Sequence, residues 1–272
     1  MSLHMQFELT NHCQLQCIEC PHRFMQRKQS HMQEDVFNKI LSYISILGPD
    51  TVILHKDGEP LLHPNFKDYF SRIAERTNAK IDLYTNGFFL TPEIVSFMGE
   101  KAASNKIWML VTFHQHKHTG ETYDLDVVEK NLLECVKLQI PNIDFILATH
   151  QTDFTDVETS KEWYARWVNR SFEYKNIKAV HVNTCISPWA GKIEQKEGMA
   201  HYVCCPYQDG CHMFVGVTGN ILPCCMDLEE DITLGNVLED DLDSIMLLRK
   251  EFYHNLEKDD IPEFELCQKC LN

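Results

Sequence analysis

The chain has 272 residues, enough for one large domain and a small addition. Hydrophobic residues make up 44%, and no run approaches the roughly 18 to 20 apolar residues of a membrane span, which excludes an integral membrane role at this level. Acidic residues number 40 against 25 basic ones, and the net charge of −15 argues against binding nucleic acid or anionic membrane. The N-terminus lacks the charged and apolar regions of a secretory signal, so the chain is expected to be cytoplasmic. There the 12 cysteines stay reduced and point to metal or redox chemistry rather than a disulfide framework.

Strand-like and helix-like segments alternate over the first two thirds. Strands are predicted over His4–Leu9, Thr51–His55, Lys80–Tyr84, Ile107–Phe113, Phe145–Thr149 and Lys178–Val182. Helices are predicted over Gln33–Leu47, Pro64–Arg76, Pro92–Lys101, Asp124–Leu138 and Asp156–Phe172. Thr91 reads as the cap of the third helix, and Asn86-Gly87 as a turn. Six such units predict parallel strands with right-handed crossovers, an α/β partial (β/α)6 TIM-like barrel with its chemistry at the C-terminal strand ends. After about Pro188 the pattern shifts to short β pieces (Met213–Val217, Ile221–Leu222), dense cysteine and a late helix over Leu242–Leu256. The division expected is residues 1–187 for the barrel and 188–272 for a small cluster-binding domain.

The first strand runs into Cys13-x3-Cys17-x2-Cys20. Three thiolates on one tight loop grip three corners of a cubane and leave one iron open, where electron-transfer clusters usually have four cysteines. A zinc knuckle completed by His12 or His22 is the competing reading. The second strand is followed by Asp57-Gly58-Glu59-Pro60, the third by Thr85-Asn86-Gly87, and the fourth by His114, His116 and His118. Solvated loop histidines are common, but this position makes His114 and His116 substrate-pocket candidates. In the last third, Cys205-x13-Gly219-x4-Cys224 precedes Cys267-x2-Cys270, a set that fits one 4Fe–4S cluster or a four-thiolate zinc. Cys204 and Cys225 are possible substitutes within it, and Cys211 has no assignment.

These motifs resemble those of the radical S-adenosylmethionine (SAM) superfamily, and the C-terminal pattern resembles its SPASM/twitch subgroup, in the short form with one auxiliary cluster. The resemblance implies that Cys13, Cys17 and Cys20 hold a 4Fe–4S cluster whose open iron takes S-adenosylmethionine. It implies reductive cleavage to a 5′-deoxyadenosyl radical that abstracts hydrogen from a substrate. Gly58, Glu59 and Pro60 match a Gly-Gly-Glu-Pro motif, with Asp57 in the place of its first glycine, and would approach the cofactor's ammonium group. Thr85 and Asn86 would lie near the cofactor, and Ile18 takes a slot often aromatic near the adenine. Cys205, Cys224, Cys267 and Cys270 would hold the auxiliary 4Fe–4S cluster.

Length and the runs Gly-Glu-Pro-Leu-Leu, Tyr-Thr-Asn-Gly and Gly-Asn-Ile-Leu-Pro-Cys are similar to butirosin-type aminocyclitol dehydrogenases of that subgroup. Where those enzymes have an arginine for alcohol deprotonation, this chain has Trp189, with Lys192 nearby but differently placed. The implied function is oxidation of a small polar metabolite, with the auxiliary cluster accepting an electron. Alternatives are a radical epimerase or peptide-modifying enzyme, with Cys185 returning hydrogen, and a noncatalytic zinc or iron–sulfur module. Expected partners are a small-molecule or peptide substrate and an electron donor such as flavodoxin or ferredoxin, for which Arg23, Arg27 and Lys28 offer a local basic patch.

Overall fold

A computed structural model of the chain describes residues 2–17, 19–114, 124–150, 157–183, 189–193, 205–257 and 264–271. The first two thirds alternate β1 (His4–Phe7), α1 (Glu34–Leu47), β2 (Thr51–Ile53), α2 (Phe66–Arg76), β3 (Lys80–Thr85), α3 (Pro92–Lys101), β4 (Ile107–Phe113), α4 (Leu125–Lys137), β5 (Ile143–His150), α5 (Val157–Glu173) and β6 (Ile177–Asn183). The C-terminal third adds β7 (His212–Val215), β8 (Ile221–Leu222), α6 (Leu242–Glu257) and α7 (Glu265–Leu271).

Local chemistry sets these boundaries. The hydroxyl of Thr91 accepts from the Ile94 N–H at 3.4 Å with Pro92 at the first helical position, which starts α3 as the sequence predicts. Gly48 ends α1 in the left-handed region at φ 56°. Helix α2 starts at Phe66 rather than Pro64, because His63, ahead of the proline, is held in extended backbone. In β4 one face (Ile107, Met109, Val111, Phe113) is wholly buried while the alternate residues are only partly so.

The strands form one open sheet in the order β6-β5-β4-β3-β2-β1-β7-β8. The first six are parallel and follow chain order, so their C-terminal ends share one rim. Strand β7 pairs in parallel with β1, from His4 opposite His212 to Phe7 opposite Val215, so the last third continues the same sheet. The core is continuous as well: Met213, Ile221, Val237 and Ile245 belong to the same buried cluster as Met5, Val36, Ile81 and Phe145. Gly219, at φ 90°, brings its turn against α1; a Cβ there would stand 2.8 Å from Val237 and 3.4 Å from Val36. No helix among the described residues is long and apolar enough to cross a membrane.

Candidate active site

The loop after β1 is folded back and pinned. Thr10 donates to the Ser30 carbonyl and accepts from the His12 N–H. The Asn11 side chain joins Lys28 and Ser30, and the buried His22 ring meets the Asn11 carbonyl at 2.8 Å. The post-β2 loop lies directly against it: the Glu59 N–H donates to the His12 carbonyl at 2.8 Å. Gly58 makes this approach possible, because a Cβ on it would lie 2.2 Å from the Thr10 carbonyl oxygen.

Cys13, Cys17 and Cys20 line one cavity of about 350 Å³ together with Gly58, Glu59, Thr85, Asn86, His114 and Trp189. That volume is within the range of small-molecule sites, and the cavity sits at the strand ends where such sites are expected. Burial pushes the Cys13 thiol up to about 11 and the Cys20 thiol to about 12, and raises Cys17 further, with the Glu19 carboxylate adding to it. Thiols so placed become thiolates only against a metal's charge.

Tetrahedral zinc, with Zn–S bonds of about 2.3 Å, needs sulfurs about 3.8 Å apart. Among the described residues no three cysteines of either set gather within 4.8 Å of one another; the group that does is Cys17, Glu19 and His114. Among the described residues neither set is gathered as tightly as a single bound zinc ion would hold it.

Glu59 is buried at the hinge of three elements. Its carboxylate accepts from the Leu61 N–H (3.1 Å), the Thr85 hydroxyl (2.9 Å) and the Asn86 N–H (2.8 Å), so it caps the turn Pro60–Leu62 and ties it to the end of β3. A carboxylate offers about four lone-pair sites, so one remains for a cofactor ammonium. Burial raises its carboxyl to about 7, against the pull of those three bonds. Asn86 exchanges amide bonds with Gln14 (3.1 and 3.5 Å) and brings its Nδ2 to 4.0 Å from the Cys13 sulfur.

The His114 Nδ1 lies 2.8 Å from the Glu19 Oε1, joining the end of β4 to the cysteine loop. Trp189 lines the cavity with a left-handed backbone, φ 48°, followed by Ala190 at 50° and Gly191 at 82°. Lys192 does not reach the cavity lining; its Nζ pairs with Glu229 at 3.5 Å. Sequence reasoning missed Gln14, Tyr84 and His150; position at a strand end was the available signal for the last two. Ile18, His116 and Cys185 lie outside the described residues.

The expected basic patch is corrected at Arg27. Its side chain is 13% exposed and committed to Glu8 (2.7 Å), Asp57 (2.8 Å) and Glu230 (2.8 Å), because three buried carboxylates converge on it. It is an internal counter-charge, not a docking residue.

In the last third, Cys205 opens a turn, Cys224 follows β8, and α7 presents Cys267 and Cys270 one helical turn apart. Burial first, then the neighbouring thiols including Cys205, raises Cys224 well above its ordinary value and Cys267 and Cys270 to about 11. Cys205 thus neighbours Cys224, Cys267 and Cys270. Cys225 lies in the same neighbourhood, adding to the rise of Cys224 and Cys270, and its sulfur is 3.0 Å from the Tyr207 hydroxyl. Cys204 lies outside the described residues, Cys135 is buried within α4, and Cys211 neighbours Asp209.

Comparisons with known proteins agree with this geometry. Residues 7–163 match the profile of the Radical SAM superfamily, and residues 204–271 match SPASM, the iron-sulfur cluster-binding domain. The S-adenosyl-L-methionine-dependent 2-deoxy-scyllo-inosamine dehydrogenase of Niallia circulans is 23% identical over 276 positions, covering 98% of this chain and 92% of that protein. Among solved structures, BtrN in complex with AdoMet and 2-DOIA superposes with a TM-score of 0.70 at 19% identity, covering 100% of this chain and 94% of BtrN. Streptococcus suis SuiB bound to precursor peptide SuiA superposes at 0.54 with 15% identity, covering 100% and 70%. At these identities the structural likenesses concern the fold.

Proposed function

The chain belongs to the radical SAM superfamily, and from that premise we propose that it oxidises a small polar metabolite by two electrons in the cavity at the strand ends. It is a radical SAM oxidoreductase that uses a 4Fe–4S cluster and S-adenosylmethionine, with auxiliary iron–sulfur in its SPASM region. The observation that carries the finer reading is the dehydrogenase relative, which aligns along 98% of this chain.

When bound, the cluster and S-adenosylmethionine supply a 5′-deoxyadenosyl radical, which takes a hydrogen atom from a substrate carbon. The chain's own residues prepare the site for that event. Cys13, Cys17 and Cys20 hold the cluster on a loop that Gly58 allows to lie flat against its neighbour. Gly58, Glu59, Pro60, Thr85 and Asn86 bind the cofactor, with Ile18 assigned to its adenine. His114, anchored by Glu19, and Trp189 shape the substrate side and exclude water. Cys205, Cys224, Cys267 and Cys270 would hold the auxiliary cluster, which would supply an acceptor for the substrate's second electron. Residues 1–187 are the catalytic part and 188–272 the auxiliary part, and a flavodoxin or ferredoxin supplies the starting electron. Trp189, where the aminocyclitol dehydrogenases have arginine, points to a substrate other than theirs.

The test is anaerobic reconstitution followed by assay with candidate polyols and amino sugars under reducing conditions. Expected are about eight irons per chain, as two four-iron clusters give, and one 5′-deoxyadenosine per two-electron-oxidised product. A redox-neutral product carrying hydrogen from solvent would overturn the dehydrogenase reading in favour of epimerisation or peptide modification.

A further inference from the structure

A buried run of charges joins the cavity to the C-terminal cysteine region. Asp57, which replaces the motif's first glycine, accepts at one oxygen, Oδ2, from both Arg27 (2.8 Å) and Lys56. The Lys56 side chain is wholly buried, and its Nζ also donates to the Asp227 carbonyl at 2.9 Å. Asp227 lies just beyond Cys224 and Cys225 in sequence, while Asp57 lines the cavity beside Cys20. Arg27 completes the crossing through both oxygens of Glu8, through Glu230 and through the Leu228 carbonyl. Glu8, Arg27, Lys56 and Asp57 come from the region matched by the radical SAM profile, and Asp227, Leu228 and Glu230 from the SPASM region.

The arrangement is polar in direction. A carboxylate stands on the cavity side, and an ammonium reaches the segment that follows Cys224. Buried charge is screened little, and a buried ion pair is weak evidence for stability, since apolar replacements are often neutral. Cluster potentials, in contrast, respond directly to nearby charge and burial.

We infer that Lys56 and Asp57 are positioning residues for electron passage, fixed charges that hold the auxiliary cluster easier to reduce and the cavity-side cluster harder to reduce. A positive charge stabilises the more negative, reduced form of a cluster, and a negative charge opposes it. The inference rests on the proposed function, because it requires clusters at both cysteine sets.

The experiment is an anaerobic potentiometric titration of the reconstituted full-length chain, read by electron paramagnetic resonance. The cavity-side signal is identified by its change on adding S-adenosylmethionine. The auxiliary signal is read alone in a Cys13→Ala, Cys17→Ala, Cys20→Ala background. Lys56→Met is expected to lower the auxiliary potential by a tenfold change in the oxidised-to-reduced ratio, about 59 mV for one electron. Lys56→Arg restores it, and the isosteric Asp57→Asn raises the cavity-side potential by a similar amount. A mere strut would move neither potential, or move both in one direction, and either result overturns the inference. If Lys56→Met fails to retain iron, Asp57→Asn decides alone, and an unchanged cavity-side potential overturns it. An unsubstituted chain with a single cluster would instead overturn the proposed function.

Discussion

Replacing Gly58 by alanine adds one methyl group where the cysteine loop and the post-β2 loop touch. The new Cβ would meet the Thr10 carbonyl oxygen at 2.2 Å, the His12 carbonyl oxygen at 2.7 Å and the Asn11 Cα at 2.9 Å, all of them backbone. No flexible side chain is available to yield, so the loop itself retreats by about an ångström to restore ordinary contact. Overpacking of this kind costs about 1 to 3 kcal/mol, and losing the Glu59 N–H bond to His12 (2.8 Å) adds about 1 kcal/mol. A displacement of about 1 Å at a reacting centre costs on the order of 100-fold in rate. Gly58→Ala is therefore expected to melt several degrees lower and to cleave S-adenosylmethionine about 100-fold more slowly. It should also hold less iron at Cys13, Cys17 and Cys20 and keep its auxiliary iron. The assay is anaerobic iron determination with 5′-deoxyadenosine quantified by chromatography. Full iron and an unchanged cleavage rate would refute the claim that this contact sets the loop.

Cys224→Ala should reduce iron from about eight to about four per chain, while Cys225→Ala, whose sulfur meets the Tyr207 hydroxyl, should keep about eight; iron analysis of the two variants checks the assignment. Glu59 is held up to about 7 in the folded chain against an ordinary 4.5, so the folded state carries the extra proton between those values. Stability then falls as pH rises through that window, and denaturation midpoints of Glu59→Gln should show a flatter limb there. Arg27→Met leaves Glu8, Asp57 and Glu230 without their guanidinium and should cost about 3 to 5 kcal/mol in chemical denaturation, with Arg27→Lys recovering only part. Trp189→Ala should open the substrate side of the cavity and lower the yield of product per 5′-deoxyadenosine while cofactor cleavage itself persists.

Local pattern carried much of the architecture into view. The strand over Ile107–Phe113 and the Thr91-Pro92 start of α3 appear where the sequence predicts them, because each depends on neighbours a few residues away. The three N-terminal cysteines and the Gly58-Glu59 and Thr85-Asn86 pairs were legible for the same reason, each being a compact motif at a strand end. What the sequence hid depends on distant pairing. Nothing around His212 announces that it lies opposite His4, and parallel pairing across such a span leaves no turn signal. The seven-residue helix under Cys267 and Cys270 is too short for a readable period. Asp57 looked like a departure from a motif; its cations come from Arg27 and Lys56, and only the fold shows that Arg27 is turned inward.

The pairing of β7 with β1 also sets an order of events during synthesis. Strand β1 bears the cysteine loop, and one of its flanks stays bare until His212–Val215 has emerged from the ribosome. Until then a row of unpaired backbone groups is open to any passing strand. The Glu8 N–H finds its acceptor only on Val215, and the Glu8 carboxylate receives the Val217 N–H. The strand that carries the first cysteines is thus completed only by the last third of the chain. A ribosome stalled before the last third would leave that edge of the strand exposed.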